Sequence, residues 1–85
     1  MQPLEELLSR IRWDVEFGRG SFSIAYLDRV AGGERTVPFE AIVTDPRRPR
    51  DLTLRDDDGR IVHIPLHRVR SVSKDGVIIW RRPER

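Results

Sequence analysis

The sequence has no cysteine, a single lysine (Lys74) among sixteen basic residues, and aromatic side chains at only 7% of its 85 positions. Without cysteine, neither a disulfide framework nor a thiolate zinc site is available to reinforce a small core. No apolar run approaches the roughly 20 residues that cross a bilayer as a helix, and no signal pattern opens the chain, so the expected location is the cytoplasm, with no membrane partner. Histidine is scarce too, with only His63 and His67 present. Their spacing of four puts two imidazoles on one helix face, but Pro65 between them breaks that helix and no third ligand lies nearby. Asp56-Asp57-Asp58 suggests calcium, yet the alternating ligands and the glutamate that end an EF-hand loop are missing. No metal or cofactor is expected. The dearth of lysine fits a GC-rich coding sequence as readily as it fits an anionic ligand.

What is present centres on residues 61–82, which hold the densest apolar run, both histidines and Trp80. Ile61-Val62-His63-Ile64 is β-branched and reads as a strand, which Pro65 ends by removing a backbone donor. Leu66, Val69 and Val72 then carry the spacing of one short helical or 3₁₀ turn leading into extended chain. Asp75-Gly76 is the strongest hairpin signal in the sequence and predicts that Val77-Ile78-Ile79-Trp80 folds back on residues 69–73. Arg68, Arg70, Arg81 and Arg82 crowd around this unit. Guanidinium groups on a stiff hairpin offer planar forks of donors to phosphate or carboxylate oxygens.

Upstream, Leu4, Leu7, Leu8 and Ile11 recur at i, i+3, i+4 and i+7 after Pro3, predicting an amphipathic helix of about three turns. Glu5 and Glu6 in its first turn and Arg10 and Arg12 in its last complement the helix dipole. Phe17-Gly18-Arg19-Gly20 reads as a connector, too short to claim phosphate. Phe22, Ile24 and Tyr26 then share one face of a strand. Gly32-Gly33 marks a turn, residues 35–39 are extended, and residues 40–43 continue that strand or form one helical turn. Residues 44–51, with two prolines, form a loop whose Arg47, Arg48 and Arg50 either reach a nucleic-acid backbone or are a solvated face. Residues 52–55 and 60–64 flank a tight Asp-Gly hairpin turn. No internal repeat or low-complexity tract is evident. The expected fold is α+β: one domain, residues 1–85, with an N-terminal amphipathic helix packed on a strongly bent antiparallel sheet or small barrel of five to six short strands.

Net charge is +2 and the pI about 9.9, but the charge is uneven. From Arg60 onward seven basic residues face two acidic ones, so the basic surplus lies in the C-terminal third. Trp80, ending an apolar strand, is expected in the core; Trp13, at a helix end beside Asp14, is open to either a core or a base-stacking role.

Five pieces in order, Ile11-Arg12-Trp13-Asp14, Tyr26-Leu27-Asp28-Arg29, Val37-Pro38-Phe39, Ile64-Pro65-Leu66-His67-Arg68-Val69-Arg70 and Gly76-Val77-Ile78-Ile79-Trp80-Arg81, span nearly the whole chain. Together they resemble a small family, formerly a domain of unknown function, named the RNA cyclic group end recognition domain. The resemblance implies an α+β module that recognises RNA termini carrying a cyclic phosphate, beside RNA-processing or repair enzymes. Carried over residue by residue, its ligand-binding positions are Arg12, Asp14, Tyr26, Asp28, Arg29, His67, Arg68 and Arg70, with no catalytic residue assigned. The module is expected to stand alone, without the catalytic domain such a module can accompany, which leaves open whether a separate enzyme supplies chemistry. Arg12, Arg29 and Arg68 are expected to cluster, relieved by Asp14 and Asp28. Two other readings stay open: a metal-independent phosphoesterase using His67 as acid or base, and a protein–protein adaptor presenting its hairpins.

Overall fold

The computed structural model of the chain describes residues 3–30, 32–43 and 45–83. Ala31, within the expected Gly32-Gly33 turn region, Thr44, which opens the expected loop, and Glu84 and Arg85, counted with the basic C-terminal third, lie outside the described residues.

The expected helix is α1 (Leu4–Trp13), which buries Leu4, Leu7 and Ile11. Pro3 stands just outside it in extended conformation, and its carbonyl accepts the Leu7 N–H at 3.1 Å. A proline is harmless there, because the first N–H groups of a helix have no intrahelical partner. At the other end Asp14 leaves helical geometry, and its carboxylate accepts the backbone N–H groups of Glu16 and Phe17. The chain then turns so tightly that a Cβ on Gly18 would lie 2.5 Å from the carbonyl oxygen of Ile11. Only glycine fits that approach, so Gly18 serves to end the helix.

Among the described residues, seven strands follow in two antiparallel sheets. The four-stranded sheet has the order β2 (Gly33–Pro38), β1 (Phe22–Asp28), β6 (Val69–Lys74), β7 (Val77–Arg81), and the three-stranded sheet the order β3 (Ile42–Val43), β4 (Asp51–Arg55), β5 (Ile61–Pro65). The expected α+β class and N-terminal helix hold. The bent sheet is two open sheets, not a closed barrel, and the strand count exceeds the expectation because residues 33–43 contain a strand on either side of a one-turn 3₁₀ helix. Asp75 and Gly76, at φ 51° and 84°, make the expected tight turn between β6 and β7. The β4–β5 turn is longer than expected: Arg55 pairs with Ile61, and Asp56 organises residues 56–60 by accepting the N–H groups of Asp58 and Arg60.

The chain crosses between the sheets at two junctions of one design. In the first, Val37-Pro38 leads into a 3₁₀ turn (Phe39–Ala41) and Ile42; in the second, Ile64-Pro65 leads into a 3₁₀ turn (Leu66–Arg68) and Val69. Both prolines are extended, and each turn closes with the N–H of the following residue donating to its first carbonyl, Ile42 to Phe39 and Val69 to Leu66. Both turns pack against β1. The chain therefore does carry a short internal repeat, β-branched–Pro–apolar–x–x–β-branched. It escapes a reading of the sequence because the variable pair in its middle is Glu40-Ala41 in one copy and His67-Arg68 in the other.

One core joins the layers: Leu4, Leu7 and Ile11 of α1 meet Phe22, Ile24 and Tyr26 of β1, Leu52, Leu54 and Ile64 of the smaller sheet, and Val69, Val72 and Trp80. Phe22, Ile24 and Tyr26 share the buried face as their alternation requires, and Trp80 is core. Thr53 is buried on the central strand of the smaller sheet, where its hydroxyl shares a 3.1 Å hydrogen bond with Nδ1 of His63 on the paired strand. Among the described residues no helix is long and apolar enough to cross a membrane.

Candidate functional site

Six of the eight residues carried over from the resemblance come from two stretches distant in sequence, Tyr26-Leu27-Asp28-Arg29 and His67-Arg68-Val69-Arg70, which the fold makes adjacent. Antiparallel pairing sets Tyr26 of β1 opposite Val69 of β6, and the second 3₁₀ turn, holding His67 and Arg68, packs on β1 just beyond. Pairing shifts register here, Ala25 facing Ser71 and Tyr26 facing Val69, so Arg70 is the extra residue of a β-bulge. Bulges bend a strand and re-aim side chains.

Each member has a distinct setting. Tyr26 is buried, and burial pushes its hydroxyl above the usual tyrosine pKa, while the Arg35 charge pulls it down and Asp28 pushes it up. Asp28 accepts the N–H of Val30 at 2.9 Å and a 3.3 Å hydrogen bond from Arg35 Nη1, the latter holding that guanidinium more firmly charged. Arg29 is exposed at the start of the β1–β2 turn. His67 is exposed, and its ring has no hydrogen bond among the described residues; Arg68 and Arg70 are half-buried. No ion pair among the described residues neutralises Arg29, Arg68 or Arg70, whereas Arg10, Arg35, Arg47 and Arg48 each have a carboxylate within 4 Å. Guanidiniums with no carboxylate partner among the described residues are donors suited to an anion.

Arg82, read from the sequence only as one of four guanidiniums around the hairpin, is instead a clamp on the backbone. Its Nε donates to the carbonyl of Val69 and its Nη2 to that of Leu66, both at 2.9 Å, and the guanidinium lies 5.2 Å from the Trp80 ring. Its own backbone N–H donates to the carbonyl of Arg70 at 2.8 Å. Arg82 therefore holds the second 3₁₀ turn at both ends and fixes the backbone that carries His67 and Arg68. Strand alternation was the available signal, since Arg82 follows the buried Trp80 by two and Arg81 does not.

Arg12 and Asp14 stand apart from this group. The Arg12 guanidinium lies 5.6 Å from the ring of Phe39, which stacks edge-on against Phe22, the first residue of β1. Arg29 leaves from the other end of that strand, about 20 Å away at about 3.3 Å per residue. The expected clustering of Arg12 with Arg29 is thus not what the fold produces, because the helix that carries Arg12 ends beside the start of β1. The Asp14 carboxylate builds the turn after α1: the Phe17 N–H, with that of Glu16 and the Arg10 guanidinium, holds it below the usual carboxylate range against an opposing push from desolvation. Trp13 settles its own ambiguity, being 76% exposed.

A family model described as MJ1316 RNA cyclic group end recognition domain matches residues 1–82. The chain belongs to that family. The family's name indicates recognition of RNA ends that carry a cyclic phosphate, and it supports an RNA-end-binding role for this chain. No solved structure matches the chain.

Proposed function

We propose that the chain binds the terminal phosphate of an RNA with Arg29, Arg68 and Arg70, while His67 contacts the terminal sugar or base and Tyr26 and Asp28 shape the site from below. The observation that carries this reading is the meeting of residues 26–29 with residues 67–70 at one sheet end, where three arginines have no carboxylate partner among the described residues. A terminal phosphate offers several anionic or polar oxygens to planar donors. Arg12 and Asp14 serve the same RNA from the other end of β1, as contacts to a more distant nucleotide. The domain works beside a separate RNA-processing or repair enzyme that makes or consumes the end.

Binding suits the site better than turnover. A histidine acting as general acid or base is held by a partner that orients its ring. The exposed His67 ring has no such partner among the described residues. Affinity for a short single-stranded RNA should fall as salt rises, with a slope of about −0.7 per phosphate contact and about two or three contacts in all. Arg68→Ala and Arg70→Ala should each weaken binding and make that slope shallower. Affinity independent of salt, and unmoved by either substitution, would favour the adaptor reading instead.

A further inference from the structure

A cleft of about 240 Å³, lined by Leu66 of the second 3₁₀ turn but not by His67 or Arg68, opens between α1, the first 3₁₀ turn and the smaller sheet. Leu8, Phe39, Ile42, Leu52 and Leu66 give it an apolar floor, and Trp13 stands on its rim, 76% exposed. Trp13 contributes nothing to the core at that exposure, so its large flat ring is free for a ligand. Glu5, Leu8, Ser9 and Arg12 line the cleft from one face of α1, following the helical i, i+3, i+4, i+7 rule. The two charged ends of that row, Glu5 and Arg12, are about 10 Å apart along the axis at 1.5 Å per residue. Glu5 has no ion pair among the described residues, and Arg12 is steadied over the Phe39 ring.

Asp45, Arg48 and Asp51 also line the cleft, but Asp45 is paired with Arg47 and Arg48 with Asp51. The Glu5 acceptor at one end, the Arg12 guanidinium at the other, the apolar floor between them and the aromatic face on the rim match one nucleotide, with its base, donor edge and phosphate. The volume is below the roughly 300–1,000 Å³ that encloses a drug-sized ligand, which suits a single base. We propose that this cleft holds one unpaired nucleobase, stacked on Trp13 with its phosphate toward Arg12, and that guanine is preferred. Guanine presents two adjacent N–H donors on its Watson–Crick edge, and an ionised carboxylate such as Glu5 only accepts. Leu66 closes the floor and begins the turn that carries His67 and Arg68. The base in the cleft is accordingly that of the more distant nucleotide whose phosphate meets Arg12, on the same RNA as the bound end. That placement rests on the end-binding reading above; the cleft's taste for a base does not.

Mononucleotides separate the two. Trp13 is the exposed tryptophan and Trp80 the buried one, so GMP titrated into the protein should quench tryptophan emission saturably. The saturable component should vanish in Trp13→Phe, and Glu5→Gln should erase the advantage of GMP over UMP. With a short single-stranded RNA ending in a cyclic phosphate, Trp13→Ala should lower affinity roughly five- to hundred-fold, the loss expected of one base–aromatic stack. It should leave the salt slope unchanged, since no phosphate contact is removed. No saturable quench with any mononucleotide, or RNA affinity unmoved by Trp13→Ala, overturns the proposal. Equal quenching by GMP and UMP overturns its guanine preference. Saturable GMP quenching by a protein that ignores RNA ends would sustain the cleft and sink the end-binding reading.

Discussion

The two Pro–3₁₀ junctions share a backbone and differ in what they carry. Both follow an extended proline, both close on the N–H of a β-branched residue, and both rest on β1. The first displays Glu40 and Ala41, and its apolar residue Phe39 is covered by the Arg12 guanidinium. The second displays His67 and Arg68, and Arg82 pins its carbonyls from within the fold. The shared part is a way to pass from one sheet to the other. The difference lies in two variable positions and one clamp, and on the proposed reading that is where the scaffold carries its site.

Core truncation should split the junctions most. Ile64, entering the second, is 4% exposed, whereas Val37, entering the first, is only half-buried. Ile64→Ala should cost about 2–5 kcal/mol, as large-to-small substitutions in packed cores do, and Val37→Ala well under half of that. Denaturant midpoints at unchanged m-value check the contrast; equal losses would mean the junctions are anchored alike. Next in size is the clamp. Arg82→Ala removes two charge-assisted hydrogen bonds and should destabilise by about 1.5–3 kcal/mol, besides loosening the turn that presents His67 and Arg68. Arg12→Ala, which removes one exposed cation–π contact, should cost about 0.5–1 kcal/mol.

Exchanging the variable pairs tests the comparison in function. His67→Glu with Arg68→Ala rebuilds the first junction's surface on the second and should leave the thermal midpoint within a few degrees while RNA affinity falls at least tenfold. Unchanged affinity would move the site elsewhere. The smallest effect concerns pH. Asp14 and Asp45 are both held below the usual carboxylate range, Asp14 mainly by the Phe17 N–H and Asp45 mainly by the Arg47 N–H. A depressed carboxylate contributes stability that is present above its unfolded pKa of about 3.9 and is lost as pH falls through the lower folded value. Both lie on the first junction's side, at the end of α1 and in the loop after β3. Asp14→Asn and Asp45→Asn should therefore flatten the acid limb of the stability curve below about pH 4 and leave the neutral plateau's shape alone. An acid limb unchanged in both would place the acid-sensitive groups elsewhere.

The sequence shows clearly whatever is local. Helical spacing from Leu4 to Ile11, alternation from Phe22 to Tyr26, and Asp75-Gly76 each encode an element within one window, and each forms. Pairing of β1 with β6 joins strands far apart in sequence, and no periodicity reports it, so the expectation that Arg29 lies near Arg68 came from the resemblance alone. The same blindness grouped Arg12 with Arg29, since resemblance carries residues over without carrying their positions in space. The repeated junction was legible in principle: Val37-Pro38-Phe39 and Ile64-Pro65-Leu66 are chemically alike, but conservative replacement hid the match.

Binding of the purified protein to one short RNA prepared with a 2′,3′-cyclic phosphate, an open monophosphate or a hydroxyl end tests the central claim most directly. The account predicts that the cyclic end binds tightest and is recovered unopened, and that Arg68→Ala abolishes its advantage. Equal affinity for all three ends, or opening of the cyclic phosphate that disappears in His67→Gln, would contradict it.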